Sequence, residues 1–156
     1  MVGENVTNIL ALDPATHCGW AHSCGQSGTW DLSIRRDESS GMRLIRFRSK
    51  LAEILNSTPT DLVVFEAARC AIPKMQGAVT VQAEIQGVLK WYCEDNGINY
   101  RGFSSTEVKR HATGKGNASK AQMIAAAQEK WGSHITDDNE ADALWILHLA
   151  SEMYRG

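Results

Sequence analysis

The chain has 156 residues, of which 43% are hydrophobic and 22% are charged, and its formal net charge is −2 at pH 7. These values favour a single globular domain, residues 1–156, that is large enough to bury a real core. No run of about 18 apolar residues exists, which excludes a membrane-spanning helix. Residues 1–5 lack the basic and apolar regions of a signal peptide, so we expect a cytoplasmic protein. The slightly acidic charge does not indicate a nucleic-acid partner, although a total charge hides its distribution.

Cysteine usage agrees with a reducing compartment. The four cysteines contain no C-x-x-C pair, which favours free thiols over disulfides or a zinc site.

The first predicted strand, Asn8 to Asp13, ends on an acid. Its apolar run, residues 9–12, predicts a strand that is buried on both faces in the middle of a sheet. Burying the charge of Asp13 without a partner is costly, and a bound metal ion is one explanation. Capping of a turn is the alternative, because Asp-Pro pairs also open turns.

Two further strands are predicted directly after this turn. Gly19 to Cys24 and Ser27 to Leu32 are joined by Gly25-Gln26, a short connection typical of an antiparallel hairpin. The chain therefore opens as a three-stranded meander with Asp13 at its first turn.

The same pattern of an apolar run and an acid returns later in the chain. A helix is predicted over Glu38 to Asn56, and it is followed by a buried strand over Asp61 to Glu66. Since sites form at strand ends in open α/β sheets, Glu66 becomes a second candidate site residue.

The next segment, residues 67–77, has no clear period and contains Pro and Gly. We predict a loop that carries Arg69 and Lys74 beside the site as DNA-binding residues. A helix over Val79 to Asp95 and a strand over Ile98 to Phe103 follow.

A basic, glycine-rich segment follows the predicted helix that opens at Ser104. Lys109, Lys115 and Lys120 surround two glycines where another helix begins, which predicts a phosphate-binding cradle. The order of a Walker A loop is absent. An ordinary glycine turn with solvated lysines is the alternative, and His111 is a possible further phosphate contact.

The last helices are predicted over Lys120 to Trp131 and Asp138 to Tyr154. Acids in the first turn of a helix are favoured by the helix dipole and need no function. Asp138 and Asp142, however, share nearly one face, and like charges at this spacing repel unless a cation lies between them.

Four candidate catalytic and metal-binding acids emerge: Asp13, Glu66, Asp138 and Asp142. Oxygen ligands without paired His or Cys suit Mg²⁺ or Mn²⁺. Two such ions per site can clamp the attacking and leaving oxygens of a phosphoryl displacement, while lysines at the rim hold a nucleic-acid backbone.

On these motifs the chain resembles the RuvC family of Holliday-junction resolvases, within the ribonuclease H-like superfamily. The similar segments cover nearly the whole chain: residues 10–14, 19–21, 63–66, 107–109, 114, 119–123 and 140–144. The resemblance implies an α/β fold with a five-stranded mixed sheet, an antiparallel three-stranded meander plus parallel strands, flanked by helices. It also implies metal-dependent cleavage of branched DNA by a homodimer, with helix Val79 to Asp95 at the dimer interface. No membrane and no small-molecule cofactor are expected.

The resemblance assigns roles to individual residues. Asp13, Glu66 and Asp142 match the catalytic acids of the family, and Lys109 and Lys120 match basic positions that contact DNA.

The chain departs from the family pattern at two places. The usual final pair is Asp-x-x-Asp, but Asn139 stands three residues before Asp142, so Asp138 is predicted as the fourth acid, with Asp137 or Asn139 as alternatives. The loop after Glu66 carries residues 69, 70 and 72 (Arg, Cys and Ile) where an aromatic wedge is often found.

Other functions fit part of the pattern. A ribonuclease H acting on RNA–DNA hybrids would use the same acids, and a non-catalytic junction-binding module would need none of them. A sugar-kinase-like phosphotransferase begins with a similar strand and Asp, but it needs two domains and a longer chain.

Overall fold

A computed structural model of the chain describes residues 6–68 and 76–154. The strands are β1 Ile9–Asp13, β2 His17–His22, β3 Ser27–Asp31, β4 Leu62–Glu66 and β5 Asn99–Phe103. The helices are α1 Gly41–Ser57, α2 Gln76–Asp95, α3 Ser105–Thr113, α4 Lys120–Trp131 and α5 Asp138–Tyr154. No helix in these described ranges is long and apolar enough to cross a membrane.

The described strands form one mixed sheet in the order β3-β2-β1-β4-β5. The first three strands are an antiparallel meander, and β4 and β5 extend the sheet in parallel beside β1. The predicted five-stranded mixed sheet is therefore confirmed.

The central pair β1 and β4 is set in register by its apolar residues. Leu12 pairs with Phe65, so Asp13 and Glu66 follow together where the two parallel strands end. Side chains alternate between the faces of a strand. Asp13 and Glu66 are therefore on the same face of the sheet as the residues of their strands that pack in one of the two cores, namely Ile9, Ala11, Leu62 and Val64.

That core lies under α3, α4 and α5, whereas α1 and α2 cover the other face of the sheet. The alternation of side chains therefore places the two acids on the face of the sheet that carries α5. One glycine lets the helix approach this face closely: a Cβ atom on Gly19 would lie 1.8 Å from the backbone oxygen of Asn139. Gly19 pairs with Asp13, so the close contact brings the start of α5 to the end of β1.

Several element boundaries differ from the predictions. Strand β2 ends at His22 because a turn begins there, with Gly25 at φ 103° and its N–H donating to the His22 carbonyl. Helix α1 begins at Gly41 instead of Glu38, because residues 35–38 form a turn in which the Glu38 N–H donates to the Arg35 carbonyl. Helix α2 is described from Gln76, so it includes the three residues before the predicted start at Val79.

The prediction of free cysteines is confirmed for the three that lie in the described part of the chain, Cys18, Cys24 and Cys93.

Candidate active site

The centre of the candidate site is a carboxyl pair. Asp13, only 7% exposed at the end of β1, is hydrogen-bonded to Asp142 of α5. Two carboxyl groups can share such a bond only when one of them carries a proton. The pair is therefore a site where negative charge is crowded in a buried position.

The electrostatics of the pair follow from this crowding. Burial, and then the negative charges of Glu66 and Asp142, raise the pKa of Asp13 well above its usual range. Burial, followed by Glu66 and Asp138, raises the pKa of Asp142 to about 7, although the hydrogen bond with Asp13 and the charge of Lys109 act in the opposite direction. Such shifts are typical of functional sites.

Glu66 and Asp138 complete the cluster from two other elements. Glu66 ends β4, and its Oε2 accepts a hydrogen bond of 3.3 Å from Gln82 Nε2 of α2. Asp138 lies in the first turn of α5, and Lys120 Nζ is 3.7 Å from its Oδ2. The structure thus brings the four predicted acids into one electrostatic group.

The two residues beside Asp138, Asp137 and Asn139, form hydrogen bonds outside the acid cluster. The Asp137 carboxylate accepts hydrogen bonds from Thr29 Oγ1 at 2.7 Å and from the Asn139 N–H at 2.8 Å. The Asn139 side chain also donates to Asp137, at 3.1 Å. Burial raises the pKa of Asp137, but these hydrogen bonds outweigh it and lower the pKa overall. Asp137 therefore acts as a helix cap, and the geometry favours Asp138 as the fourth acid of the cluster.

The donor set suits a hard divalent cation. Every acid offers carboxylate oxygens, which are the ligands of Mg²⁺ and Mn²⁺. The cations described near the cluster are Lys109 and Lys120, and the Lys120 side chain is 86% exposed. Such a distant, solvated charge compensates the buried pair poorly, so the residues fit a bound metal well.

A groove lies next to the segment that follows Glu66. A cavity of about 540 Å³ is lined by the two residues after Glu66, by the start of α3 and by the glycine-rich loop, and Lys109 is in its wall. Lys115 is exposed on that loop and Lys120 is exposed at the start of α4. Lys109 and Lys120 therefore lie near the acids, through Asp142 and Asp138 respectively, and Lys115 is exposed on the loop between α3 and α4.

The predicted cradle differs in one respect. Ser119 and Gln122 form a capping box, in which the Ser119 hydroxyl accepts the N–H of Gln122. This N–H is consequently unavailable to phosphate. Arg69 and Lys74 lie outside the described residues, as do Cys70 and Ile72 of the loop that lacks an aromatic wedge.

The sequence did not identify some of the residues that position the candidate site. Gln82 and Gln86 are one turn apart on α2, and they hold Glu66 and the backbone N–H of Ala68, respectively. Ser27 donates to Glu140 at 2.7 Å, which adds to the tie between β3 and the start of α5. Neutral polar residues on a helix or edge strand carry no sequence signal for such long-range contacts.

Comparison with known proteins identifies relatives of the chain. The chain is 38% identical over 144 residues to a crossover junction endodeoxyribonuclease RuvC from Brachyspira hyodysenteriae, covering 88% of the chain and 89% of that protein. It is 27% identical to a protein of the same name from an Anaeromyxobacter species, covering 90% of the chain and 72% of that protein. No profile of a known protein family matches.

Solved structures share the fold. Thermus thermophilus RuvC in complex with a Holliday junction substrate superposes with a TM-score of 0.72 at 17% identity, over 90% of each chain. The yeast mitochondrial Holliday junction resolvase Ydc2 gives a TM-score of 0.56 at 15% identity, over 90% of this chain and 76% of its own.

Proposed function

The chain belongs to the RuvC family of crossover junction endodeoxyribonucleases, and we propose that its four-acid cluster is the centre that hydrolyses DNA at four-way junctions. The observation that supports this most directly is the buried, hydrogen-bonded pair of Asp13 and Asp142. A protein that only bound DNA would gain nothing from acids that repel one another and repel phosphates as well.

Asp13, Glu66, Asp138 and Asp142 are the residues that would hold divalent metal, as Mg²⁺ or Mn²⁺ and with two ions per site. When bound, the metal supplies Lewis-acid stabilisation of charge on the phosphate and on the attacking and leaving oxygens. The family implies a divalent metal, and the all-oxygen donor set supports its identity as a hard cation.

The protein's own groups prepare this centre. Asp13 and Asp142 must lose their shared proton before both can bind metal, because ligating carboxylates are ionised. Gln82 fixes one oxygen of Glu66 at the end of β4. The contact of Gly19 with Asn139 sets the depth at which α5 presents Asp142 to the sheet.

Lys109, Lys115 and Lys120 are proposed to hold phosphates of the branched DNA, with Arg69 and Lys74 as further predicted contacts. The position of Lys109 in the groove wall, the ion pair of Lys120 with Asp138 and the exposure of Lys115 on the glycine-rich loop support this role. Such contacts position DNA without reading its sequence.

A homodimer is proposed, with α1 and α2 at its interface. These two helices cover the face of the sheet opposite α5, and each exposes a large apolar side chain outward. Ile45 is 60% exposed on α1 and Trp91 is 55% exposed on α2. Two copies joined through this face would carry two acid clusters, one for each strand to be cut. We further propose that the enzyme acts in the cytoplasm.

A labelled synthetic four-way junction tests the function. We expect paired symmetric nicks with Mg²⁺ or Mn²⁺, lost in Asp13→Asn while junction binding persists, and retained in Asp137→Asn if that variant stays folded. Cleavage of an RNA–DNA hybrid with the junction left whole would favour a ribonuclease H activity. Binding without any cleavage would favour a non-catalytic module.

A further inference from the structure

A second cluster of metal-ligating side chains lies between α3 and α5. His111 of α3, together with His148 and Glu152 of α5, brings one ligand atom each to within 4.8 Å of the others. His111 Nε2 is 2.7 Å from His148 Nδ1, and His148 Nε2 is 3.7 Å from Glu152 Oε1. His111, which the sequence offered as a phosphate contact, thus has one ring nitrogen against another imidazole.

The surroundings keep the two imidazoles in place. Both histidines are half-buried, and the indole rings of Trp131 and Trp145 pack on them, with ring centroids 5.5–6.0 Å apart. Burial, with the charges of Lys130 and His111, lowers the pKa of His148, while Glu152 acts in the opposite direction. A neutral imidazole at neutral pH has a free lone pair for a metal ion.

We propose that His111, His148 and Glu152 form a binding site for a transition-metal ion of the Zn²⁺ class. Two imidazoles and one carboxylate are a common donor set for Zn²⁺, and a fourth position remains for water. This set differs in kind from the all-oxygen cluster around Asp13, which suits Mg²⁺. The two sites would therefore select different metals.

The cluster needs only local adjustment to accept an ion. Bonds of about 2.0–2.2 Å place tetrahedral ligand atoms roughly 3.3–3.6 Å apart, so the histidine nitrogens must separate slightly and Glu152 must move inward. The Glu152 side chain is 65% exposed, which leaves it room for this movement. Because His148 turns one nitrogen to His111 and the other to Glu152, its ring rotates so that a single nitrogen serves the ion.

An ion at this position would link two helices that contribute to the candidate active site. His111 follows Lys109 by two residues on α3, and His148 follows Asp142 on α5. Metal binding would hold the phosphate-facing helix against the acid-bearing helix. The expected effect is a higher thermal stability of the folded chain in the presence of the ion.

Cobalt(II) is the probe for this site, used with the full chain in saturating Mg²⁺ so that the acid cluster is occupied. We expect one equivalent of Co²⁺ to give the visible absorption bands of a tetrahedral ion and to quench tryptophan fluorescence, because Trp131 and Trp145 contact His148. Zn²⁺ should displace the cobalt and raise the melting temperature.

Three variants decide the assignment. His148→Ala should abolish both signals, and Glu152→Gln, at an exposed position that leaves folding intact, should weaken binding by more than about tenfold. His134→Ala, an exposed histidine outside the cluster, should bind like the native chain. Undiminished binding in Glu152→Gln, no cobalt bands in the native chain, or a strong near-ultraviolet sulfur-to-cobalt band from a thiolate such as Cys24 would each overturn the proposal.

Discussion

Replacing Asp142 by Asn should stabilise the metal-free protein at about pH 8, although the change removes a proposed catalytic acid. In the folded chain the pKa of Asp142 lies at about 7, against an ordinary value of 3.8. Between these values the folded state holds a proton that the unfolded state has lost. The free energy of unfolding is therefore highest below about pH 4 for this group, and it falls as the pH rises toward 7.

The size of this effect follows from the pKa. Each pKa unit corresponds to about 1.4 kcal/mol, so ionising Asp142 in the folded state costs up to about 4 kcal/mol at pH values above 7. In the Asp142→Asn variant the side-chain amide would carry no charge and could still donate a hydrogen bond to Asp13. Part of this gain in stability is lost, because the pKa of Asp13 is also raised and Asp13 shares the proton. We therefore expect the free energy of unfolding to rise by about 2 kcal/mol, which corresponds to a melting temperature higher by roughly 4–8 °C.

The assay is thermal or urea unfolding in EDTA from pH 5 to pH 8, for the native chain, Asp142→Asn and Asp137→Asn. The native chain should lose stability as the pH rises, and Asp142→Asn should flatten that slope. Asp137→Asn is the matched control. Hydrogen bonds from Thr29 and Asn139 stabilise the ionised Asp137 carboxylate, so the removal of this carboxylate should destabilise the protein. If Asp142→Asn proved less stable than the native chain at the upper pH, the crowding of charge inferred here would be refuted.

Further predictions concern packing, DNA contacts and assembly. Gly19→Ala should destabilise the fold by about 1–3 kcal/mol in urea unfolding, because its Cβ would meet the backbone of Asn139. Gly87→Ala, with open space around it, should leave the stability unchanged or raise it. Equal effects of the two substitutions would contradict the close contact at Gly19. Lys120→Ala should weaken junction binding and reduce the salt slope of log K by about one, as measured by binding titrations at several salt concentrations, and an unchanged slope would remove Lys120 from the interface. Trp91→Glu should convert a dimer into a monomer in sedimentation equilibrium, and Met153→Glu, exposed on α5, should not; a native chain that is already monomeric would refute the dimer.

The sequence was informative where one local pattern carried both fold and site. Apolar runs that end in Asp13 and Glu66 predicted buried strands, and parallel pairing then brought the two acids together. Asp142 was identified from its depth in an Ala-rich helix. These patterns are local, so they can be recognised without knowledge of the tertiary contacts.

The remaining features depend on contacts between distant segments. The role of Asp137 as a helix cap required knowledge that Thr29 lies beside it, and an Asp in a first helical turn is otherwise equally compatible with a ligand. The pairing of His111 with His148 could not be predicted, because it depends on the angle at which α3 packs on α5. Some element boundaries also moved, since a backbone turn over residues 35–38 precedes α1.

The order of the acids along the chain has a consequence for biosynthesis. Two of them end β1 and β4, but the other two lie on α5, which leaves the ribosome after every strand of the sheet. Under the proposed roles, a nascent chain that has formed its sheet still lacks half of its metal ligands. Synthesis itself would thus delay nuclease activity until α5 docks against Gly19, and a chain interrupted before α5 would be harmless to the DNA of the cell that makes it.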